Sequence, residues 1–279
     1  MGLKFNTLLG ECEIDPKDVQ LVRHKDSGPT GITPFSLLRD NPAQFEAYQG
    51  LQGRQVFHRS IIASFVVTPS AETLFVNLYR ISGAARNISS VTCPVNMTQF
   101  EAGKMWIYEL AIDKRLNDFS QRLIIDWGEG YRSWVQRAVR KNKEIVEIRR
   151  HFEEPKFPQY LAFRGNIEDI PSLYPTWRSA LAAAKGIYLL VCNKTGAQYV
   201  GSATGEKGFF GRWFAYSVDG HGGNVLLRAR DHKDYTVSIL EISGSAADRR
   251  EILARETFWK EKLGSRALRL GDEYGLNAN

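Results

Sequence analysis

The spacing of apolar residues predicts that the first half of the chain is rich in β-strands. Residues 61–67 and 73–81 are two runs of apolar and β-branched side chains, a composition typical of strands. A Pro-Ser pair lies between the two runs and favours a turn. We therefore predict that these runs pair as a hairpin, and that residues 104–112 and 121–127 form two further strands.

Helical signals in this half are few. Asn41 is a suitable N-cap and Pro42 is a suitable first helical residue, so a helix is predicted to begin there. Residues 135–148 fit either a helix or a strand, and the pattern does not choose between them.

The character of the sequence changes near residue 150, after which prolines occur at positions 155, 158 and 171. Prolines at this density are typical of a connector. Residues 177–185 are rich in alanine and predict a helix that ends at Gly186. We therefore divide the chain into three segments, which are residues 1–155, a connector at residues 156–174, and residues 175–279.

The last segment mixes strands and helices. Residues 187–191 and 198–201 predict two strands that pair across a glycine-containing turn. A helix from about residue 208, a third strand at residues 237–242 and a long helix at residues 246–263 follow. Together with the strand-rich first segment, this order predicts an α+β protein of two modules.

Composition narrows the class of protein. Hydrophobic residues make up 43% of the chain, but there is no run of about 18 apolar residues that would predict a membrane span. The first residues lack an apolar segment followed by a cleavage site, which argues against secretion. Cys12, Cys93 and Cys192 are odd in number and widely spaced, which suits a reducing compartment. We therefore expect a cytoplasmic protein.

The net charge of +6 permits binding to nucleic acid without requiring it. Basic residues are concentrated between residues 132 and 150. This stretch is either a phosphate-contacting surface or a solvated face, and its basic members are Arg132, Arg137, Arg140, Lys141, Lys143, Arg149 and Arg150.

Five elements in the last segment occur in a recognisable order: Gly186-Ile187-Tyr188, Tyr199-Val200-Gly201, Arg212, Glu256 and a terminal asparagine, either Asn277 or Asn279. In order and spacing, this segment resembles the GIY-YIG endonuclease family over about residues 175–279. The resemblance implies an α/β sandwich with a three-stranded antiparallel sheet. It also implies hydrolysis of DNA with a divalent metal.

Phosphodiester hydrolysis requires these residue types. Glu256 can hold one Mg²⁺ or Mn²⁺ ion, a hard cation that takes few protein carboxylates. Arg212 offers a planar fork for phosphate oxygens. Tyr188 is expected to relay or accept the proton of a metal-bound water if its pKa is lowered. Tyr199 is expected to form a hydrogen bond with the same water or to position Tyr188. The resemblance gives the asparagine a supporting role, for which Asn277 is the candidate.

Each of these residues also has a plainer interpretation. Strand tyrosines commonly pack in cores, and Glu256 lies on a helix rich in basic residues, where ion pairs are common. Three accessory residues are weighed in the same way. Lys207 and His221 are candidates for phosphate contact or proton transfer, and Tyr216 shares a helix face with Arg212.

The first segment contains many aromatic residues beside the basic stretch. A short β-barrel built from its predicted strands would loosely resemble the PUA-like group, which includes readers that flip a modified base into an aromatic cage. Trp127 and Trp134 lie near a predicted turn and are the best exposed candidates, with Arg132, Arg137 and Arg140 as candidate DNA contacts. The alternative is that most of these aromatics belong to the core.

We therefore predict a restriction-type endonuclease. Its first segment would select target DNA, either by sequence or by a modified base, and its last segment would cut. The expected partner is double-stranded DNA, cut by a homodimer or a transient dimer. Two alternatives stay open: a structure-specific repair or recombination nuclease, and a catalytically inert protein that binds nucleic acid.

Overall fold

The computed structural model describes the chain except for residues 1, 27, 29–30, 129–132, 152–153, 220–234, 245–246, 267–274 and 278–279 and the side chain of residue 219. The chain is a mixed α/β protein with two compact units, Met1–Glu153 and Glu154–Asn279. No helix in the described ranges has both the length and the apolar character needed to cross a bilayer.

The first unit contains an eight-stranded sheet with helices packed against it. Its helices are α1 (Phe5–Glu11), α2 (Pro34–Asp40) and α3 (Pro42–Gly50), and Asn41 caps α3 as predicted. The strands of the sheet are β1 (Val19–His24), β2 (Leu51–Gln52), β3 (Ile61–Val67), β4 (Thr73–Arg86), β7 (Trp106–Asp113), β8 (Leu123–Asp126), β9 (Val135–Arg137) and β10 (Glu144–Ile148). A separate pair is formed by β5 (Val91–Thr92) and β6 (Gln99–Phe100).

The main path of this sheet runs β10-β8-β4-β3-β1-β9. The predicted hairpin of β3 and β4 is confirmed, whereas β1 and β3 are parallel. Strand β4 pairs with β8 at its start and with β7 further along, so the sheet branches there. Among the described strands, none joins β9 to β10. The sheet is therefore a curled half-barrel rather than the short β-barrel that was predicted, and the PUA-like interpretation finds no support.

Two further expectations for this unit need correction. The ambiguous stretch at residues 135–148 forms two strands at opposite ends of the sheet path rather than one element. Trp127, expected to be exposed, is only 4% exposed and packs in the core against Phe65. The Lys143 ammonium also donates a hydrogen bond to the carbonyl oxygen of Trp127 and lies 4.6 Å from the centroid of the Trp127 ring. Pairing with distant strands decides which side of a strand faces the core, and a local pattern does not contain that information.

The second unit is built around a four-stranded antiparallel sheet in the order β11-β14-β12-β13. Its elements are β11 (Arg164–Asn166), a 3₁₀ helix (Ile167–Ser172), α4 (Pro175–Ala183), β12 (Gly186–Cys192), β13 (Gln198–Ala203), α5 (Gly208–Asp219), β14 (Tyr235–Ile242) and α6 (Arg249–Leu263). The observed sheet therefore has one strand more than the three that were predicted. The additional strand, β11, is too short to show periodicity in the sequence. Residues 156–174 are also not a free connector, since Phe163, Ile167 and Ile170 are buried in the core of this unit.

Side chains on β12 alternate between the two faces of this sheet, as they must in a strand. Tyr188 and Leu190 pack in a large core with the apolar residues of α4 and α5. Ile187 instead packs with Val200 and with Ile252 of α6. The unit is therefore a three-layer sandwich, with α4 and α5 on one face and α6 on the other.

Candidate active site in the second unit

An open pocket of about 650 Å³ lies beside the edge strand β13. It forms there because α5 and α6 cover opposite faces of the sheet and both reach the edge. Four residues from the sequence analysis line it: Tyr199, Lys207, Arg212 and Glu256. The pocket thus brings together residues that are far apart in the chain.

Two glycines allow the strands at this pocket to approach closely. Gly186 has a φ of 151°, and a Cβ there would collide with the backbone of Glu241 on β14. Gly201 lies opposite Tyr188 on the paired strand. A Cβ on Gly201 would lie 2.5 Å from Cζ of Tyr188, closer than any van der Waals contact. The Tyr188 ring therefore crosses over the backbone of β13, and only glycine leaves room for it.

Tyr188 lies beneath the pocket rather than on its wall. Its side chain is fully buried, and its hydroxyl is 2.9 Å from the hydroxyl of Tyr216. Arg212 Nε donates a hydrogen bond of 3.2 Å to the same oxygen. Arg212 also lies over the Tyr216 ring, with 5.0 Å between Cζ and the ring centroid, so the predicted shared face of α5 is observed.

This environment does not lower the pKa of Tyr188. Burial raises the pKa of the Tyr188 phenol, the nearby Tyr199 raises it further, and the Arg212 guanidinium opposes them. Burial also raises the pKa of Tyr216. Burial alone would lower the pKa of Arg212, but the surrounding tyrosine hydroxyls raise it. In the protein as it stands, Tyr188 and Tyr216 are neutral hydrogen-bonding groups around a cationic guanidinium.

Tyr199, in contrast, reaches the pocket. It is 8% exposed and lies on β13, where it packs near Tyr188 and Tyr216 at ring-centroid separations of 6.4 Å. Within the described part of the chain, its hydroxyl has no hydrogen-bonding partner. The Tyr199 hydroxyl therefore opens on the pocket, and the half-buried Arg212 lines the same pocket.

Glu256 is held in place by the anchoring of α6. The helix begins at a capping box, in which Asp248 and Glu251 exchange hydrogen bonds of 2.8 and 3.1 Å. On the next turns, Arg255 and Trp259 both donate to the Glu241 carboxylate of β14, each at 2.7 Å. These bonds lower the pKa of Glu241, with Arg255 as the main cause. They fix α6 to the sheet on both sides of Glu256.

The Glu256 carboxylate forms an ion pair with a buried lysine. Lys260 Nζ lies 2.8 Å from Glu256 Oε1, and the two side chains are 7% and 14% exposed, respectively. No described residue forms a hydrogen bond with the second oxygen, Oε2. One carboxylate oxygen is thus neutralised by Lys260, while the other remains for a ligand in the pocket.

The donors in the pocket suit a hard cation. Glu256 supplies a carboxylate, and Ser202, Thr204 and Glu206 add oxygen atoms elsewhere in the lining of the pocket. Mg²⁺ takes one or two carboxylates and keeps several waters, so this donor set fits it. No group of three or more His, Cys, Asp or Glu residues suited to a metal occurs among the described residues. The described residues therefore do not form a metal site in which protein side chains supply all the ligands.

Asn277 reinforces the outer edge of β13. Its side chain accepts a hydrogen bond from Val200 N at 3.0 Å and donates one to Val200 O at 2.7 Å. Ser265 Oγ donates to the same amide oxygen at 2.7 Å. A single buried side chain thus satisfies both backbone groups of Val200, whose neighbour Tyr199 lines the pocket. Asn279 lies outside the described residues.

The remaining sequence candidates fall into three groups. Tyr216 is buried beneath the pocket, and His221 and Arg132 lie outside the described residues. In the first unit, Trp134 is half-buried and lines two pockets, while Arg137 and Arg140 are exposed.

Several pocket residues were not anticipated. Ser202, Thr204 and Glu206 lie at the end of β13 and in the loop that leads to α5. The polar residues that follow the predicted strand at 198–201 could have indicated them, because binding residues are often found on loops that leave a rigid element. The i,i+4 ion pair of Glu256 with Lys260 is one that the basic helix predicted. The burial of Lys260 was not anticipated, since a lysine in a basic helix gives no sign that it is buried.

No protein-family model matches the chain, and no curated protein matches it. Among solved structures, the chain is similar to the catalytic domain of homing endonuclease I-TevI. That match has 26% identity and a TM-score of 0.27, over 34% of this chain and 98% of that domain. A mutant of the same domain matches at 25% identity and a TM-score of 0.27, over 34% of this chain and 97% of that one.

Proposed function

We propose that the chain is a divalent-metal-dependent DNA endonuclease whose second unit is a GIY-YIG-type nuclease. The observation that supports it is the convergence of Tyr199, Arg212 and Glu256 on one open pocket. A phenol can orient a water molecule, a guanidinium can neutralise a phosphate and a carboxylate can hold a hard cation. Metal-dependent phosphodiester hydrolysis uses all three of these actions.

Arg212 and Glu256 have different electrostatic roles in this proposal, since one would bind the phosphate and the other the metal ion. The Arg212 guanidinium stays cationic and binds the non-bridging oxygens of the scissile phosphate, where negative charge grows in the transition state. Glu256 would hold Mg²⁺ or Mn²⁺ through Oε2, while Lys260 keeps Oε1 in place. When bound, such a cation acts as a Lewis acid and lowers the pKa of a water molecule.

The tyrosines have separate roles in this proposal. The Tyr199 hydroxyl opens on the pocket and can accept a hydrogen bond from the attacking water or donate one to the phosphate. Tyr188 lies one layer deeper, so it acts on the reaction by holding Arg212 Nε. Asn277 keeps β13, and with it Tyr199, in register with the pocket.

The first unit would select the DNA. Arg137 and Arg140 are exposed on and after β9, where they can neutralise backbone phosphates. This division of labour is that of a restriction-type enzyme acting on double-stranded DNA. Two copies of the chain would bring one pocket to each strand of the duplex, so we propose a homodimer or a transient dimer.

Incubation with a panel of DNA substrates tests the proposal. Plain, methylated and hydroxymethylated duplexes are incubated with the full chain in Mg²⁺, in Mn²⁺ and in EDTA. We expect cleavage of at least one duplex with a divalent ion and none in EDTA. Cleavage in EDTA would contradict the metal requirement, and no cleavage of any duplex would contradict the proposed function.

A further inference from the structure

A second pocket, in the first unit, has the features of a binding site for a flat aromatic ligand. It lies at the end of β1 and its volume is about 370 Å³. We call it the β1 pocket, and it is lined by His24, Asp26, Tyr48, Gln52, Phe100 and Trp134, among others. Ligand pockets range from about 300 to 1,000 Å³, so this one suits a single small ring system.

Aromatic rings form much of its wall. The His24 ring lies 5.3 Å from the Tyr48 ring and 6.2 Å from the Trp134 ring, measured between centroids. His24 and Tyr48 are buried, whereas Trp134 and Phe100 are half-buried. Two rings are thus fixed in the core, and two remain partly open to a ligand.

Polar groups in the same pocket can read the edge of a ring. The Tyr48 hydroxyl donates to the Asp26 carboxylate, and Asp26 is otherwise exposed. Gln52 Nε2 donates to Gln49 O at 3.0 Å, which leaves the amide oxygen of Gln52 without a partner among the described residues. Burial lowers the pKa of His24 to about 4. The imidazole is therefore neutral at neutral pH and adds no charge to the pocket.

Cationic groups flank this polar and aromatic wall. Arg23 is half-buried and Lys25 is exposed, and both line the β1 pocket next to His24. A cation beside an aromatic wall suits a ligand that carries a phosphate next to a flat ring. Nucleotides have this combination, with the phosphate as the site of charge and the base as the flat ring.

We propose that the β1 pocket binds one nucleobase of DNA, unstacked from its neighbours, with Trp134 and Phe100 as the stacking surfaces. The inference rests on the proposed function for the choice of DNA as the ligand. A base held in this way leaves the helix, and the unstacking energy is lowest for a mismatched or damaged base. The pocket would therefore select DNA by the identity or modification of one base.

Nucleotide binding tests this inference directly. The full chain is titrated by ligand-observed NMR with dAMP, dCMP, dGMP, dTMP, 5-methyl-dCMP and 5-hydroxymethyl-dCMP, and with deoxyribose 5-phosphate as a ligand that lacks a base. We expect at least one nucleotide to bind more tightly than deoxyribose 5-phosphate. Trp134→Ala should weaken that binding by about 5- to 150-fold, the range expected for one base stacked on one aromatic side chain.

Trp106→Ala is the matched control, because Trp106 is a half-buried tryptophan of the same unit that does not line the β1 pocket. It should leave nucleotide affinity unchanged. If Trp134→Ala does not fold, as judged by its melting temperature, Phe100→Ala takes its place. Equal binding of nucleotides and deoxyribose 5-phosphate, or full affinity in a folded pocket variant, would overturn the inference.

The outcome is independent of the test for cleavage. Nucleotide binding that depends on Trp134, without metal-dependent cleavage, would support the β1 pocket and contradict the nuclease proposal. Cleavage without nucleotide binding would support the nuclease and contradict the β1 pocket.

Discussion

Arg212 and Tyr188 are joined by a hydrogen bond of 3.2 Å from the guanidinium Nε to the phenol oxygen. Arg212 lines the pocket, whereas Tyr188 is fully buried beneath it. Because Tyr188 is fixed on strand β12, this hydrogen bond orients the guanidinium of Arg212, including its terminal nitrogens. Tyr188 is therefore best described as the positioning residue for the cation that would meet the phosphate.

Replacing Tyr188 by phenylalanine should slow DNA cleavage while preserving the packing of the ring. A hydrogen bond to a charged group contributes about 1.5–3 kcal/mol, which corresponds to a loss of about 10- to 150-fold in kcat/KM. Tyr216→Phe is the matched control, since it removes a neighbouring hydroxyl and leaves the acceptor of Arg212 Nε. Equal rates for the two variants would contradict the positioning role.

Lys260 should be energetically coupled to Glu256. Lys260→Met leaves the Glu256 carboxylate without its ammonium partner. We expect the free energy of unfolding to fall by about 1–3 kcal/mol. In the double variant with Glu256→Gln, the loss should be smaller than the sum of the two single losses, with a coupling of about 0.5–3 kcal/mol. Urea denaturation of the four proteins measures this.

Lys262→Met serves as the control for that cycle, because Lys262 is exposed on the same helix. It should show no coupling to Glu256→Gln. If the changes at Lys260 and Glu256 are additive, the 2.8 Å ion pair contributes nothing to the site.

Asn277→Ala should loosen the edge strand that carries Tyr199. The change leaves the N–H and C=O of Val200 without their side-chain partner, and an unsatisfied buried group costs about 1–3 kcal/mol. Asn277→Asp keeps an acceptor for Val200 N but replaces the donor to Val200 O, so it should be at least as damaging. Hydrogen exchange at Val200 N–H reports the effect, and unchanged protection in both variants would be inconsistent with the observed geometry.

Arg137 and Arg140 should contribute to DNA affinity through phosphate contacts. Changing both to glutamine should reduce the slope of log K against log salt by up to about 1.8, because each phosphate contact contributes about 0.9. Changing Lys17 and Lys114, two exposed lysines of the same unit, to glutamine keeps the total charge change equal. The same slope in both double variants would mean that Arg137 and Arg140 are only solvated side chains.

Part of the second unit could be predicted because its constraints are local. Gly201 leaves room for the Tyr188 ring, Gly186 lets β14 approach β12, and the turn between β12 and β13 sets the register of these two strands. Arg212 and Tyr216 are four residues apart and must share a helix face. These relationships depend on spacing along the chain, and the structure shows each of them.

Other features depend on contacts that no local pattern specifies. The depth of Tyr188 beneath the pocket is set by packing against α5, and the burial of Lys260 is set by the docking of α6 on the sheet. Trp127 follows the same rule in the first unit, because distant strands determine that it faces the core. Strand β11 has three residues, which is too few to give a period.

The most direct test of the account compares Glu256→Gln with the wild-type chain in the conversion of supercoiled DNA to nicked or linear DNA. Glu261→Gln is the control, as an exposed glutamate of the same helix. A metal ion contributes several kcal/mol to such reactions, so Glu256→Gln should be slower by at least about 100-fold in Mg²⁺ or Mn²⁺. Glu261→Gln should match the wild type. Wild-type cleavage rates in a folded Glu256→Gln variant would contradict the assignment of this pocket as the active site.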